Sequence, residues 1–497
     1  MKLYCLQVRR WLHSPVLHVA LLGIASWLLY LRLAVSYPLQ TFVAKYPLTD
    51  FGRANGWSQL TLLDFVLTIL AAFDLYLLAW FIVRRHPRDK RLFWLVIAFA
   101  ALFALTLLAM YPITATDIFE YVFHSRILTT YGQNPLTTPP ITFKSDPYIK
   151  TVNWAVQPSP YGPLWVILTV PGSLFVADDL TLDLYLMKAL PVLFYLGCVL
   201  VIAAILKHKD ANQKIAGTLI FAWNPLTLFE APGNGHNGII MMFFALLAVY
   251  CLVRGRWVWV LPALVASVLV KYVTAILLLP FLIYCLHAQV GWRNRLIFLF
   301  KTGAISALIA GILAFPFLAV PAGLLYEADF YSLLAVPTLG FQFLRTIHGD
   351  KIAKSIMLAV SSGAYLLVYA LSLRYQARAR RPLDLILLST WLTLAYLVIG
   401  SMHFQPWFAI WPIALGIWTS HAFTRHILLA FTVSALFSYV ANFFWIWNIR
   451  TLQNPQVNLM FVLVIFAPPV IIGILSWLWS KACAWQKSQS SIMPERA

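Results

Sequence analysis

The chain has 497 residues, 61% of them hydrophobic and only 11% charged, against about 25% charged in soluble domains. That composition excludes a water-soluble globular enzyme and points to an all-helical polytopic membrane protein. The formal net charge of +19 does not indicate nucleic acid, because the basic residues gather in short connectors: Arg84 to Arg91, Lys207 to Lys209, Arg254 to Arg256, Arg293 to Arg295 and Arg374 to Arg381. This is the positive-inside distribution, and it assigns those connectors to the cytoplasm.

Runs of about twenty apolar residues are long enough to cross ~30 Å of hydrocarbon as helix. In chain order, hydropathy and Lys/Arg placement predict fourteen crossings: 15–35, 60–83, 92–111, 184–206, 214–231, 238–254, 256–270, 272–286, 296–320, 352–373, 383–400, 405–419, 427–448 and 457–480. Residues 1–497 then form one integral membrane domain of a cell membrane, with both termini cytoplasmic. The outer loops are 36–59, 112–183, 232–237, 321–351, 401–404 and 449–456. Lys2, Arg9 and Arg10 precede the first apolar run without a small-residue cleavage site, so that run reads as an uncleaved helix. The tail from Lys487 to Ala497 is polar and expected to be disordered. Five cysteines occur, at Cys5, Cys198, Cys251, Cys285 and Cys483, none in an outer loop. No disulfide is expected, and no metal-ligand spacing or cofactor motif is seen. Internal repeats and low-complexity tracts are absent.

The segment 112–183 stands apart as a long, polar, acid-bearing loop, and such loops are usually functional. At about 100° per residue, Asp117, Glu120, Tyr121 and His124 share a sector roughly 100° wide. The spacing predicts a helix lying flat on the membrane that presents two carboxylates, a phenol and an imidazole to water. Two neighbouring carboxylates raise one pKa, which suits a general base. Asp117 is the candidate base and Glu120 its neighbour. The competing reading makes Asp117 a helix-starting acid and Glu120 a solvated or structural one. Tyr161 to Val176 is apolar enough for a helix, but counting it as a crossing would turn Lys207, Lys209, Arg254 and Arg256 outward. It therefore reads as interfacial or re-entrant, returning to the outer side at Asp178-Asp179.

Further along, Asn224-Pro225 is followed by a turn running from Glu230 through Gly233 and Gly235 to His236 and Asn237. Its glycines permit close approach to a ligand, with His236 and Asn237 directed into an outer cavity. Lys271 lies at the outer tip of an apolar hairpin from Val258 to Ile283, where a cation suits a lipid-linked phosphate. His403, Gln405 and Trp407 form another outer turn and are candidate sugar contacts; Arg345 and Arg450 are outer-face cations. Against these stand a plain helix turn, a snorkelling lysine, an interfacial tryptophan belt and solvated arginines. A phosphate-binding glycine loop, a dinucleotide fingerprint and a nucleophile elbow are all missing, so a nucleotide substrate is not indicated.

Taken together, these blocks resemble the GT-C membrane glycosyltransferases, nearest the bacterial polyprenol-phosphate-mannose-dependent mannosyltransferases. The resemblance rests on Asp117-Ile118-Phe119-Glu120-Tyr121 with Ser125-Arg126, then Gly132-Gln133-Asn134-Pro135, then Tyr161-Gly162-Pro163-Leu164. Asn224-Pro225, Gly235-His236-Asn237, Lys271 and Pro406-Trp407 follow in order, so the likeness spans roughly Ile113 to Leu415. Gly238 stands where the pattern has an acid, and Leu136 where it has a tyrosine. The resemblance implies transfer of a sugar, mannose first, from a polyprenyl-phosphate donor to a hydroxyl of a glycan or glycolipid acceptor. It places the reaction on the extracytoplasmic face, with inversion and Asp117 as base. It also implies Lys271, Arg126 and Arg345 at the donor phosphate, and Tyr121, Asn134, Tyr161, His236, Asn237, His403 and Trp407 at substrate. Two alternatives stay open: a transporter or flippase of a lipid-linked sugar, and a non-catalytic homologue in a glycan assembly complex.

Overall fold

A computed structural model of the chain describes residues 14–46, 48–176, 178–318, 323, 330–376, 381–448 and 455–490. Lys2, Cys5, Arg9, Arg10 and Arg450 lie outside the described residues. Among those described, helix is the sole extended element; the only β pairing is an isolated bridge between Pro38 and Met110.

Among the described residues, nine helices are long and apolar enough to cross a membrane. They are α1 (Pro15–Ser36), α2 (Gln59–Val83), α3 (Lys90–Leu108), α6 (Leu180–Lys209), α11 (Trp292–Ala314), α13 (Asp350–Gln376), α14 (Pro382–Ala395 with its π-helical extension to Gly400), α16 (Ala422–Asn448) and α17 (Pro455–Ser490). Between them come α4 (Asp117–Thr129), α5 (Pro163–Leu174), α7 (Lys214–Ala222), α8 (Gly238–Val253), α9 (Val260–Val270), α10 (Leu278–His287), α12 (Val336–His348) and α15 (Ile410–Gly416).

Nine is fewer than the fourteen crossings expected, and the shortfall has a local cause. The apolar stretch 214–231 is cut after α7 because Asn224 precedes Pro225, and a residue before proline is driven out of the helical region. The chain resumes as Pro225–Gly233, which meets α8 at a bend of 118°, so this pair counts at most as one broken span. Likewise Trp257–Val270, Tyr272–His287 and Pro406–Gly416 are short apolar helices. At ~1.5 Å per residue these cover only about 17–24 Å, less than the hydrocarbon thickness. The α5 helix, inside the expected re-entrant stretch, has 12 residues. Of the polar tail, α17 continues to Ser490, and residues 491–497 lie outside the described ones.

Two contacts set the geometry of the segment 112–183. Lys188 of α6 is fully buried, and its ammonium donates to the carbonyls of Leu107 (2.9 Å) and Met110. It thereby caps the end of α3, whose last carbonyls have no partner within the helix. At the other end, Gly162 donates its N–H to the Val270 carbonyl at 3.0 Å. A Cβ on Gly162 would stand 2.1 Å from the Leu269 carbonyl oxygen, so only glycine permits this approach of the α5 start to the α9 end.

The α4 helix is not a surface helix. Every residue from Ile118 to Ile127 is buried, Glu120, Tyr121, His124 and Arg126 included. Hydrophobic patterning could not show this, because the polar side is covered by residues of the same loop between 143 and 157 while the other sides pack on α5 and α6. That cover is held by Arg126, which donates Nε and Nη2 to Asp146 (3.1 and 3.0 Å) and Nη2 to Asp178 (3.0 Å). The guanidinium also lies 4.1 Å from the centroid of the Tyr148 ring. Tyr131 adds a hydroxyl donated to Asp146 at 2.8 Å and a ring stacked on Phe143 at 3.9 Å.

Candidate active site

A cavity of about 250 Å³ opens where the start of α4 meets the loop 153–161 and the turn 403–407. Its walls are Thr114, Ala115, Thr116, Asp117, Glu120 and His124 on one side, and Asn153, Trp154, Gln157, Pro158, Pro160 and Tyr161 on the second. Phe330, His403, Gln405 and Trp407 close it. Polar hydrogen-bonding groups thus sit among broad aromatic faces, the mixture that suits a polyhydroxylated ring with one apolar face.

The two acids of this wall differ in environment. The Asp117 side chain is 24% exposed, at the first residue of α4, with Oδ2 3.8 Å from His236 Nδ1. Glu120 is buried, and its Oε1 accepts the backbone N–H groups of Asn153 (2.6 Å) and Trp154 (3.0 Å). Burial pushes the Glu120 carboxyl up to about 7, against the pull of those two N–H groups and with a further push from Asp117. Glu120 thus latches the covering loop while Asp117 keeps an oxygen accessible. Burial also drives His124 down to about 4, so its ring is neutral near pH 7, with Nε2 3.5 Å from the Gln157 carbonyl.

His236 is 1% exposed and does not line the cavity. It stacks on Trp407 with ring centroids 4.0 Å apart and planes 16° from parallel. Its Nε2 lies 3.3 Å from Oε2 of Glu230, which is fully buried. The π-helical turn Phe229–Gly233 and Gly235, at φ +81°, bring the chain round so that the imidazole reaches this place. Asn234 Nδ2 bridges Glu230 Oε2 (2.8 Å) and Thr114 Oγ1 (2.7 Å), tying the turn to the strand of chain that leads to Asp117.

Lys271 sits in extended backbone at the break after α9. Its ammonium lies 5.3 Å from the Tyr161 ring, 4.7 Å from Phe408 and 5.4 Å from Trp411, a cation–π arrangement. Tyr161 also lines the cavity, which puts the cation one ring behind the wall.

Of the sequence candidates, Asp117, Glu120, Tyr161, His403 and Trp407 meet at the cavity, with His236 and Lys271 directly behind it. Tyr121 is buried behind Tyr161, with the two hydroxyls 3.4 Å apart. Asn237 is buried just before α8. Three candidates stand elsewhere. Asn134 folds back on its own turn, accepting the Leu136 N–H at 2.9 Å. Arg126 is committed to Asp146 and Asp178, and Arg345 on α12 to Asp350 at 3.1 Å and Gln342 at 3.2 Å. Glu230, Trp154, Gln157 and Phe330 carried no assigned role in the sequence reading. An acid followed by Ala-Pro-Gly within an apolar run was the one signal that could have pointed to Glu230. Among the described residues no group of three or more His, Cys, Asp or Glu side chains is arranged to hold a metal ion.

No curated protein and no solved structure matches the chain. The family model described as alpha-(1->6)-mannopyranosyltransferase, N-terminal domain, matches residues 21–288, more than half of the chain. That span holds Asp117, Glu120, Tyr161, Glu230, His236 and Lys271, and stops before His403 and Trp407. The chain belongs to the alpha-(1->6)-mannopyranosyltransferase family and is a multi-pass membrane mannosyltransferase.

Proposed function

We propose that the protein transfers mannose from a polyprenyl-phosphate carrier to a hydroxyl of a glycan or glycolipid on the extracytoplasmic face of the cell membrane. Asp117 is the general base and the anomeric centre inverts. The observation that carries this reading is the accessible Asp117 carboxylate on the wall of an aromatic-lined cavity within the matched region. The α3 helix starts at Lys90, in the basic connector 84–91, and Asp117 follows its far end. By the positive-inside rule the cavity then faces away from the cytoplasm.

In the transfer step the acceptor oxygen attacks the anomeric carbon while its proton passes to Asp117. The bond between the anomeric carbon and the phosphate oxygen breaks, and the electron pair leaves with the polyprenyl phosphate. Attack opposite the leaving group inverts the configuration. Charge grows on the departing phosphate, and Lys271, one ring behind the cavity wall, is the cation placed to stabilise it. Phe330, Tyr161, Trp154 and Trp407 offer faces to the sugar rings, and His403 and Gln405 offer hydrogen bonds.

The bent pair Pro225–Gly233 and α8 is a feature shared with transporters, whose broken helices line their substrate sites. Transfer chemistry separates the two. Purified protein supplied with radiolabelled polyprenyl-phosphate mannose and a mannoside acceptor should yield labelled product and free polyprenyl phosphate. Asp117→Asn should slow product formation by about 10²–10⁴-fold. Labelled lipid crossing vesicles with no product, or transfer only from a nucleotide-activated mannose, would overturn the reading.

A further inference from the structure

We infer that His236, set between Asp117 and Glu230, is a positioning residue for the base, and that Glu230 acts on the reaction through it. This rests on Asp117 being the base. The expectation for His236 was a sugar contact; its position suggests another task. The ring is 1% exposed, outside the cavity lining, and behind the carboxylate it would serve. Nδ1 faces Asp117 Oδ2 at 3.8 Å and Nε2 faces Glu230 Oε2 at 3.3 Å. Both faces of this arrangement are built. Trp407 stacks on the ring at 4.0 Å, and Asn234 fixes Glu230 from 2.8 Å while gripping Thr114.

The chemistry of an imidazole between two carboxylates is restrictive. Its two nitrogens leave opposite edges of the ring, and a nitrogen that carries a proton can donate to the carboxylate it faces. In the unliganded structure neither ring nitrogen makes an aligned hydrogen bond, and both are buried. A buried polar atom left in this state is costly, and catalytic hydrogen bonds commonly tighten only in the substrate complex. A shift of about 1 Å would bring Asp117 Oδ2 to hydrogen-bond distance of Nδ1. That bond fixes one carboxylate oxygen on His236 and leaves the other for the acceptor proton. No atom changes hands with Glu230; it holds the ring and the ring holds the base.

Of the surrounding groups, Tyr439 interacts with Glu230, and the others are engaged or turned elsewhere. Glu120 and His124, also on α4, are engaged with the covering loop. Lys188 reaches the neighbourhood of Gly235 with its aliphatic stem, while its ammonium is turned to the carbonyls of Leu107 and Met110. Tyr439 of α16 approaches Glu230, and His403 lies on the cavity side with Trp407.

The test is a double-mutant cycle on mannosyl transfer from polyprenyl-phosphate mannose, with kcat and acceptor KM measured separately. His236→Gln should lower kcat by about 10–100-fold and leave acceptor KM within about threefold, because the lost interaction matters only in the transition state. In the Asp117→Asn background the same change should cost less than about twofold, since residues acting through one another are strongly non-additive. The isosteric Glu230→Gln should follow the same pattern with a smaller effect. Full multiplication of the His236 and Asp117 effects overturns the inference, and so does a rise in acceptor KM at intact kcat. If His236→Gln fails to fold, Glu230→Gln decides alone: a folded variant with unchanged kcat sinks the proposal. Near-normal turnover of Asp117→Asn itself would instead remove the base assignment, a distinct failure.

Discussion

Lys271 and Tyr161 meet at the back of the cavity, with the ammonium 5.3 Å from the centroid of a ring that also forms the cavity wall. The pair is brought together by the hydrogen bond from Gly162 N–H to the Val270 carbonyl, one residue away from each. A cation that belongs to a break in a short apolar helix thus becomes part of a site built on the loop 112–183. Two consequences are testable at the donor phosphate.

Lys271→Ala should weaken use of the lipid donor by roughly tenfold to 150-fold, the equivalent of a charge-assisted contact worth about 1.5–3 kcal/mol. Lys271→Arg should recover part of that, because charge is kept and shape is not. The measurement is kcat/KM against polyprenyl-phosphate mannose concentration. Unchanged kinetics in Lys271→Ala would leave the residue a purely packing role.

Arg126→Ala should act on stability and not on the donor. The guanidinium is buried and bonded to Asp146 and Asp178, and removing one partner of a buried pair costs about 3–5 kcal/mol. Thermal unfolding in detergent should fall by several degrees and residues 140–160 should become protease-sensitive. In the protein that remains folded, donor KM should be unaltered; a large rise in donor KM would restore Arg126 to the phosphate.

Glu120 predicts a pH dependence. Its carboxyl is pushed up to about 7 from its ordinary value of 4.5, chiefly by burial. A raised folded-state value means the contribution is fully present below pH 4.5 and is lost as pH rises through about 7. Amide exchange at Asn153 and Trp154 should therefore speed up beyond the intrinsic trend between about pH 4.5 and 7 and follow it above that. Glu120→Gln keeps an acceptor oxygen and should abolish that extra slope. A slope identical in both proteins would assign the titration elsewhere.

Topology can be read chemically. Cysteines placed at Ser145, Asp179 and Gly349, all exposed, should react with an impermeant thiol reagent from outside the cell, and cysteines at His86 and His208 should not. Labelling of Asp179→Cys only after permeabilisation would place α5 as a crossing.

The long helices were legible because length and continuity alone mark them: α1, α2 and α3 start within two residues of the positions that hydropathy predicts. The short ones were not. Pro225 cuts an apolar stretch that hydropathy runs on as one span, the pieces on either side of Lys271 and after Gln405 are too short to cross, and these broken pieces are where the site is built. Asp117, Tyr161, His403 and Trp407 were visible as polar or aromatic residues in outer turns. Glu230 was hidden in an apolar run, since only the folded turn shows that a carboxylate there meets an imidazole six residues on. The ion pairs of Arg126 were hidden for the opposite reason: its partners lie 20 and 52 residues downstream, and no local pattern announces them.

The Arg126 tether gives the cavity a roof that is finished before any substrate arrives. Ordering a loop costs about 1–2 kcal/mol of backbone entropy per residue, and a flexible lid incurs that cost at every turnover. Here the cost falls once, during folding, because Asp146, Asp178 and Glu120 already pin the covering segment. Mannose and acceptor then meet walls of fixed shape, and the binding energy they release is left for alignment of the reacting atoms.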